Sequence, residues 1–166
     1  MKPCEEMIEK NNDIEYATKL IKKYCSSDIN DKETVFIAYR NENRKQINNI
    51  MMEKNNYVMN ENEISVGVKL INKTNNLNIG GLNIFNKHQF IVIENNIDGV
   101  IIQDAENNKI QATRKEIIDN MDLAFCLTLY CVQGQTIPKI HFVDTDIDML
   151  CKVPNALYTL ISRIKI

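Results

Sequence analysis

Short apolar runs recur along the chain, and polar or turn-forming residues follow each of them. Three runs are rich in β-branched or aromatic side chains, namely residues 34–39, 123–127 and 140–143. This composition predicts buried strands. Residues 43–52 then carry apolar side chains at helical spacing, which predicts a helix directly after the first strand. The succession favours a parallel α/β sheet, in which ligands bind beyond the carboxyl ends of the strands.

The first part of the chain predicts a helix over residues 5–25, with Asn11 and Asn12 as a candidate interruption. From Ile14 onward the apolar residues fall on one helical face. Acids dominate the start and lysines the end, which suits the helix dipole. We expect this helix to pack on the sheet.

Residues 57–118 have a different character, because short β-rich runs alternate there with turn-rich segments. The runs are residues 64–71, 89–94, 100–103 and 109–112. Their spacing predicts a small antiparallel barrel. The run at 89–94 alternates poorly between apolar and polar positions, which favours a central strand.

Polar residues with candidate chemistry cluster behind the predicted strands. Behind the second run stand Thr128, Tyr130, Gln133, Gly134 and Thr136. This stretch resembles the pattern Thr-x-His-x-x-Gln-Gly-x-Ser/Thr, motif V of superfamily 1 helicases in the branch that includes RecD and Dda. Residues 156–163 resemble motif VI of the same branch, Tyr-x-Ala/Gly-x-Ser/Thr-Arg, and end in Arg163. Two such motifs in this order form a specific signal.

Two positions depart from these motifs: Tyr130 stands in place of a histidine, and Leu160 in place of a small residue. The strand, turn and helix near residue 40 resemble motif IV. The matching residues are Tyr39, Arg40, Asn41, Arg44 and Asn48. Residues 68–87 resemble the Src-homology-like barrel, domain 2B, of this branch. Its Asn-Gly-x-x-Gly is replaced by residues 83–86, where we expect asparagine to take the positive φ of glycine.

The resemblance implies a RecA-like parallel sheet flanked by helices with an inserted small antiparallel barrel. Residues 1–58 and 119–166 would form the RecA-like domain 2A, and residues 59–118 the barrel 2B. In the family, the motif VI arginine reaches the γ-phosphate of ATP across the cleft between two RecA-like domains. Arg163 is the match, and Arg40 is implied as a second arginine at that cleft.

The remaining implied roles divide between nucleotide and DNA. Gln133 and Gly134 are implied to couple the nucleotide state to the DNA-facing loop. The implied contacts to single-stranded DNA are Thr128, Tyr130, Thr136 and Asn41. For both arginines the residues alone leave an alternative, which is an ordinary ion pair with a carboxylate.

A complete ATPase site is absent from these 166 residues, because no stretch matches the phosphate cradle G-x-x-x-x-G-K-[ST]. Asp144, Asp146 and Asp148 lack the glycine and glutamate of a calcium loop, so we expect a polar loop there and no metal site. ATP and Mg²⁺ are expected only together with an upstream RecA-like domain of the same polypeptide. Neither histidine predicts a catalytic pair. His88 is expected to be a surface or a satisfied structural histidine, and His141 to lie in the core.

Composition adds three limits. The net charge of −2 provides no general attraction to nucleic acid, so contacts with DNA must be local. The five cysteines form no C-x-x-C pair, which favours mostly buried, reduced thiols in an intracellular compartment. No apolar run approaches the roughly 20 residues that span a bilayer.

Two functions follow as hypotheses. The first is the C-terminal half of an ATP-dependent DNA helicase that is inactive alone and binds single-stranded DNA weakly. The second is a helicase-derived module that binds nucleic acid or protein and has no motor role. The chain ends just after Arg163, where a strand follows in the family, so the sequence is expected to be a fragment of a longer polypeptide.

Overall fold

The computed structural model describes residues 14–26 and 29–164, which separate into two compact units. The first unit comprises residues up to Ile47 and from Cys126 onward, and the second runs from Asn48 to Phe125. In chain order the elements are α1 (Ile14–Tyr24), β1 (Val35–Ala38), α2 (Asn41–Lys54), β2 (Lys69–Asn72), β3 (Leu77–Ile79), β4 (Leu82–Ile84), β5 (Gln89–Asn96), β6 (Gly99–Gln103), β7 (Lys109–Ala112), α3 (Arg114–Asn120), β8 (Met121–Leu123), β9 (Cys126–Thr128), β10 (Ile140–Phe142), α4 (Ile147–Lys152) and α5 (Ala156–Ser162).

The first unit contains a parallel sheet in the order β10-β1-β9. Phe36 in β1 pairs with Cys126 on one side and with His141 on the other. Consecutive residues of the central strand are buried, which is typical of a parallel sheet that is covered on both faces. Beyond these strands, Ile137 and Ile164 form an isolated parallel bridge.

Helix α1 confirms the predicted helix over its described part, whereas residues 5–13, including Asn11 and Asn12, lie outside the described residues. Ala17 and Ile21 are its buried residues, and it packs against α4 and α5. The apolar stripe therefore faces other helices of the same unit.

The second unit contains a five-stranded antiparallel sheet in the order β7-β6-β5-β2-β8 and a separate hairpin, β3-β4. Both contribute to one hydrophobic core, which includes Ile79, Ile84, Val92 and Ile102. Strand β5 is central, as expected, and its pairing with β6 shifts register between Val92 and Glu94. Burial still alternates before this shift, since Ile91 is 38% exposed between the buried Phe90 and Val92, so the unbroken apolar run reflects an apolar residue on the outer face of the strand.

The predicted α/β fold with a parallel sheet, helices and an antiparallel sheet is confirmed. One strand prediction was wrong in its bounds. The apolar run 123–127 is split, because Leu123 pairs with Leu70 in the antiparallel sheet whereas Cys126 pairs with Phe36 in the parallel one. An unbroken apolar run carries no sign of this change of partner.

The prediction that an asparagine in residues 83–86 takes the positive φ of glycine was also wrong. Neither Asn83 nor Asn86 has a positive φ; Lys87 takes it instead, at 70°. The backbone there is set by hydrogen bonds, since the Lys87 amide donates to the Asn72 carbonyl (2.7 Å) and the Asn72 amide donates to the His88 carbonyl (2.8 Å).

Candidate functional site

A cavity of about 330 Å³ lies beyond the carboxyl ends of β1 and β9, within the first unit. Residues from three parts of the chain line it: Tyr39 and Asn41 after β1; Thr128, Leu129, Tyr130 and Gln133 at and after β9; and Val153, Pro154, Ala156 and Thr159 before and within α5. The edge of a parallel sheet where strands end is the usual place for a ligand. Four residues predicted as site residues, Asn41, Thr128, Tyr130 and Gln133, therefore meet at one cavity.

Thr128 and Tyr130 present different chemistry to this cavity. Thr128 is the last residue of β9, and its hydroxyl donates to the Cys131 thiol at 3.3 Å. Tyr130 lies in a short 3-10 helix, Leu129–Val132, and its side chain is 74% exposed. The cavity rim thus combines a positioned hydroxyl with an exposed aromatic ring.

Gln133 and Gly134 form the central pair of a β-turn. The Gln135 amide donates to the Val132 carbonyl at 3.1 Å, and Gln133 has φ −58° and ψ 131°. Gly134 has φ 83°, so the angles match a type II turn, whose third position favours glycine. A Cβ on Gly134 would meet nothing within 4 Å, and the turn conformation alone therefore accounts for the glycine.

Asn41 is held by its own helix. The Arg44 Nε donates to the Asn41 Oδ1 at 2.8 Å, one turn along α2. Another motif IV match, Asn48, is 2% exposed and donates to the Leu123 carbonyl at 3.3 Å. Asn48 is therefore structural in this arrangement.

Arg40 pairs with two carboxylates. Its Nη1 donates to Asp146 at 2.8 Å, and its Nη2 donates to Asp148 at 2.8 Å. Hydrogen bonds to Asp148 and then Asp146 raise the pKa of Arg40 further above its usual value. The bond from Arg40 lowers the pKa of Asp148 to about 2. This geometry is the ion-pair alternative left open by the sequence, and Arg40 does not line the cavity.

Asp146 is the centre of this arrangement and was not recognised as a site residue. Its side chain is fully buried and accepts four hydrogen bonds: from the Tyr39 amide (2.7 Å), the Arg40 amide (3.0 Å), the Arg40 guanidinium (2.8 Å) and the Asn43 amide group (2.8 Å). The prediction of a polar loop at 144–148 was wrong in this respect. The segment is a 3-10 turn leading into α4, and a buried carboxylate there is satisfied by charged and backbone donors.

Arg163 follows α5 and is half-buried. Its guanidinium contacts the Ser162 hydroxyl at 3.3 Å, and among the described residues no carboxylate lies within ion-pair distance of it. Its backbone is fixed, because its carbonyl accepts from the Ile137 amide at 2.7 Å. The side chain does not line the cavity, and seven helical residues place it about 10 Å along α5 from Ala156.

The other predicted residues lie apart from the cavity. Thr136 and Gly134 do not line it. His141 is only half-buried, with its Nδ1 2.9 Å from the Ser26 carbonyl oxygen. Val153, Pro154 and Thr159 line the cavity but were not predicted to do so. The Pro-Asn pair at 154–155 is a turn signal that could have indicated a loop at this place.

Two features are absent from the described residues, namely a cluster of metal ligands and a helix that could span a membrane. No group of three or more histidine, cysteine, aspartate or glutamate side chains among them is arranged to hold a metal ion. Within the same residues, every helix is too short or too polar to cross a bilayer.

Comparison with solved structures identifies a shared fold. A Bacteroides Pif1 bound to single-stranded DNA superposes over 100% of this chain with a TM-score of 0.65 and 14% identity. A Bacteroides Pif1 complex with ADP-AlF3 and single-stranded DNA gives 0.61 and 15% over 100% of the chain, and the Candida albicans Pif1 helicase gives 0.58 and 11% over 99%. The chain has a fold that occurs in Pif1 helicases. It spans about half of these proteins, 47%, 48% and 51% of their chains, and neither a protein-family model nor a curated protein sequence matches it.

Proposed function

We propose that this chain is the second RecA-like domain, with its inserted barrel, of a superfamily 1 DNA helicase of the RecD/Dda-like branch. The first unit would be domain 2A and the second domain 2B. The observation that carries the proposal is the cavity at the ends of β1 and β9, where residues from motif IV and motif V meet. Solved structures that share the fold include helicases bound to single-stranded DNA.

In this proposal the cavity is part of the track for single-stranded DNA. The Thr128 hydroxyl exchanges its bond to the Cys131 thiol for one to a phosphate oxygen, since it has a single hydrogen to donate. The exposed Tyr130 ring stacks on a base, an interaction worth roughly 1–3 kcal/mol. Asn41, fixed by Arg44, offers an amide at the same rim. The net charge of −2 explains why the isolated chain would bind weakly, since no general basic field adds to these contacts.

A titration of labelled oligo-dT, followed by fluorescence anisotropy, tests this track. Tyr130→Ala is expected to weaken binding roughly tenfold because one stacking contact is lost. Tyr158→Ala is the matched control, since Tyr158 is also exposed (40%) but does not line the cavity. Absence of salt-sensitive binding by the wild-type chain, or equal effects of the two variants, would contradict the proposed track.

ATP and Mg²⁺ enter only with an upstream RecA-like domain. ATP supplies the triphosphate whose hydrolysis drives translocation. Arg163 fits such a group, because its guanidinium contacts a neutral hydroxyl and is therefore available for charge-assisted bonds to phosphate oxygens. In this proposal Mg²⁺ is held by the triphosphate and by groups of the upstream domain.

The role of Arg163 is tested on the chain rejoined to an upstream RecA-like domain that carries a phosphate cradle. Arg163→Lys keeps the charge but loses the planar fork, and we expect turnover to fall by orders of magnitude while oligo-dT affinity of the isolated chain is unchanged. Undiminished turnover of the variant would refute the role. If the rejoined wild-type protein binds DNA without turnover, the alternative of a binding module without motor activity is favoured. The ion pairs of Arg40 with two carboxylates also favour this alternative, because they occupy the second arginine that was expected at the nucleotide.

A further inference from the structure

A stack of three aromatic rings ends at the surface of the second unit. Phe85 lies parallel to His88, with ring centroids 4.0 Å apart and an angle of 10° between planes. His88 in turn packs against Phe90 at 4.3 Å. Phe90 belongs to the core, whereas Phe85 is 64% exposed, so the outermost ring is backed by the core and open to solvent.

His88 is fixed by a buried carboxylate. Its Nε2 lies 3.0 Å from the Asp104 Oδ2. Asp104 also accepts from the amides of Glu106 and Asn108 and from the Asn108 side chain, at 2.9 to 3.0 Å. The Nδ1 of His88 is buried without a hydrogen-bond partner in the described structure. The imidazole is thus held between two rings at the expense of one unsatisfied nitrogen.

The backbone of Phe85 is fixed as well. Its carbonyl accepts from the His88 amide at 3.2 Å and from the Asn72 side chain at 2.9 Å. Asn72 is itself 1% exposed. An exposed phenylalanine normally loses rotamer freedom when it binds a partner, but the Phe85 ring is already stacked on His88, so it has less of this freedom to lose.

Apart from Leu82, the exposed side chains near Phe85 in the sequence are hydrogen-bonding or basic. Asn83, Asn86 and Lys87 are all exposed, while Ile84 is buried. The centre of a protein-binding surface is usually a packed apolar patch, whereas proteins that bind single strands combine an aromatic ring with polar and basic neighbours. The aromatic ring suits the face of a base, the asparagine amides suit its polar edge, and the lysine suits a phosphate.

We propose that Phe85 is a stacking platform for a base of single-stranded DNA, a contact on the second unit in addition to the cavity of the first. This inference rests on the proposed function, because it assumes that the chain binds single-stranded DNA. The ring face of Phe85 stacks on the base, the amides of Asn83 and Asn86 meet base or sugar edges, and Lys87 contributes positive charge.

The chain contains no tryptophan, which gives a direct test. Phe85→Trp in the full chain introduces a single fluorophore at the platform. Titration with oligo-dT is expected to quench its emission, whereas an abasic oligomer of equal length leaves the emission nearly unchanged. Phe85→Ala is expected to weaken oligo-dT binding by roughly 5- to 100-fold, and Phe85→Trp to retain it, because stacking requires only an aromatic face.

Leu82→Ala is the matched control, since Leu82 is exposed (45%) in the same hairpin but is aliphatic. Its oligo-dT affinity should equal that of the wild type. The platform is refuted if the Phe85→Trp variant binds oligo-dT while its tryptophan emission is unchanged, or if Leu82→Ala and Phe85→Ala weaken binding equally. If the wild-type chain does not bind oligo-dT at all, the proposed function fails together with this inference; loss of the tryptophan response alone removes only the platform.

Discussion

Replacing the buried Asp146 by asparagine is expected to destabilise the first unit strongly. The carboxylate uses Oδ2 for the Tyr39 and Arg40 amides and Oδ1 for the Arg40 guanidinium and the Asn43 side chain. An asparagine has the same shape but only one acceptor oxygen. Whichever way it is turned, two of the four donors lose their acceptor.

The magnitude follows from these two donors. A buried donor left without a partner costs about 1–3 kcal/mol, so the loss of two acceptors should cost about 2–6 kcal/mol. Part of this is offset because a buried charge is also removed. The loss is a large fraction of the roughly 5–15 kcal/mol typical of a folded domain. With a slope of about 2 kcal/mol per molar urea, the midpoint should fall by about 1–3 M.

The assay is urea unfolding by circular dichroism, combined with hydrogen exchange to locate the effect. Amides of β1 and β9 should lose protection, whereas those of β5 and β6 should keep it. Asp148→Asn is the matched control, since Asp148 also binds Arg40 but is one-third exposed, so its loss should lower the midpoint clearly less than the loss of Asp146. Equal shifts for the two variants would show that the four bonds to Asp146 do not act as inferred.

Two further perturbations have signs that follow from the structure. The pKa of Asp148 is about 2, below its ordinary value near 4. The stability that the ionised Asp148 contributes is therefore present above about pH 4 and is lost as the pH falls toward 2. Across this window the urea midpoint of Asp148→Asn should fall less steeply with decreasing pH than that of the wild type. Gly99→Ala should destabilise the protein far more than Gly134→Ala, because a Cβ at Gly99 would lie 2.3 Å from the Ala112 carbonyl oxygen. At Gly134 a Cβ meets no atom within 4 Å, so the substitution costs only the strain of a positive φ, about 1 kcal/mol. Thermal unfolding compares the two variants, and equal losses of stability would contradict the clash at Gly99.

The strands predicted well from the sequence are those marked by a short run of apolar residues at the strand itself. The run at 109–112 coincides with β7, and the runs at 34–39 and 140–143 contain β1 and β10. Helix α3 was missed, although its signal is present. Thr113 and Glu116 form a capping box, with reciprocal bonds of 3.1 and 3.0 Å, and the pattern Thr-x-x-Glu is visible in the sequence.

Features that depend on distant parts of the chain were beyond such reasoning. The Tyr39 amide meets Asp146 across 107 positions, and nothing local to Asp146 distinguishes it from Asp144. The stack of Phe85 on His88 similarly requires Asp104, which reaches His88 from the β6–β7 turn. Residue types and spacing predicted a site at the carboxyl ends of the parallel strands. They did not predict which buried polar groups hold the neighbouring backbone and side chains in place by hydrogen bonds.

The two predicted nucleotide-facing arginines show how much environment adds to a motif. An arginine can move to a phosphate only if it gives up its present partners. Arg40 would leave Asp146, a fully buried carboxylate, without its guanidinium, and breaking such a pair is strongly unfavourable. Arg163 would give up only contacts to the Ser162 hydroxyl. An arginine therefore supports the turn after β1 at position 40, whereas at position 163 the proposed role at a triphosphate would require it to give up only hydroxyl contacts.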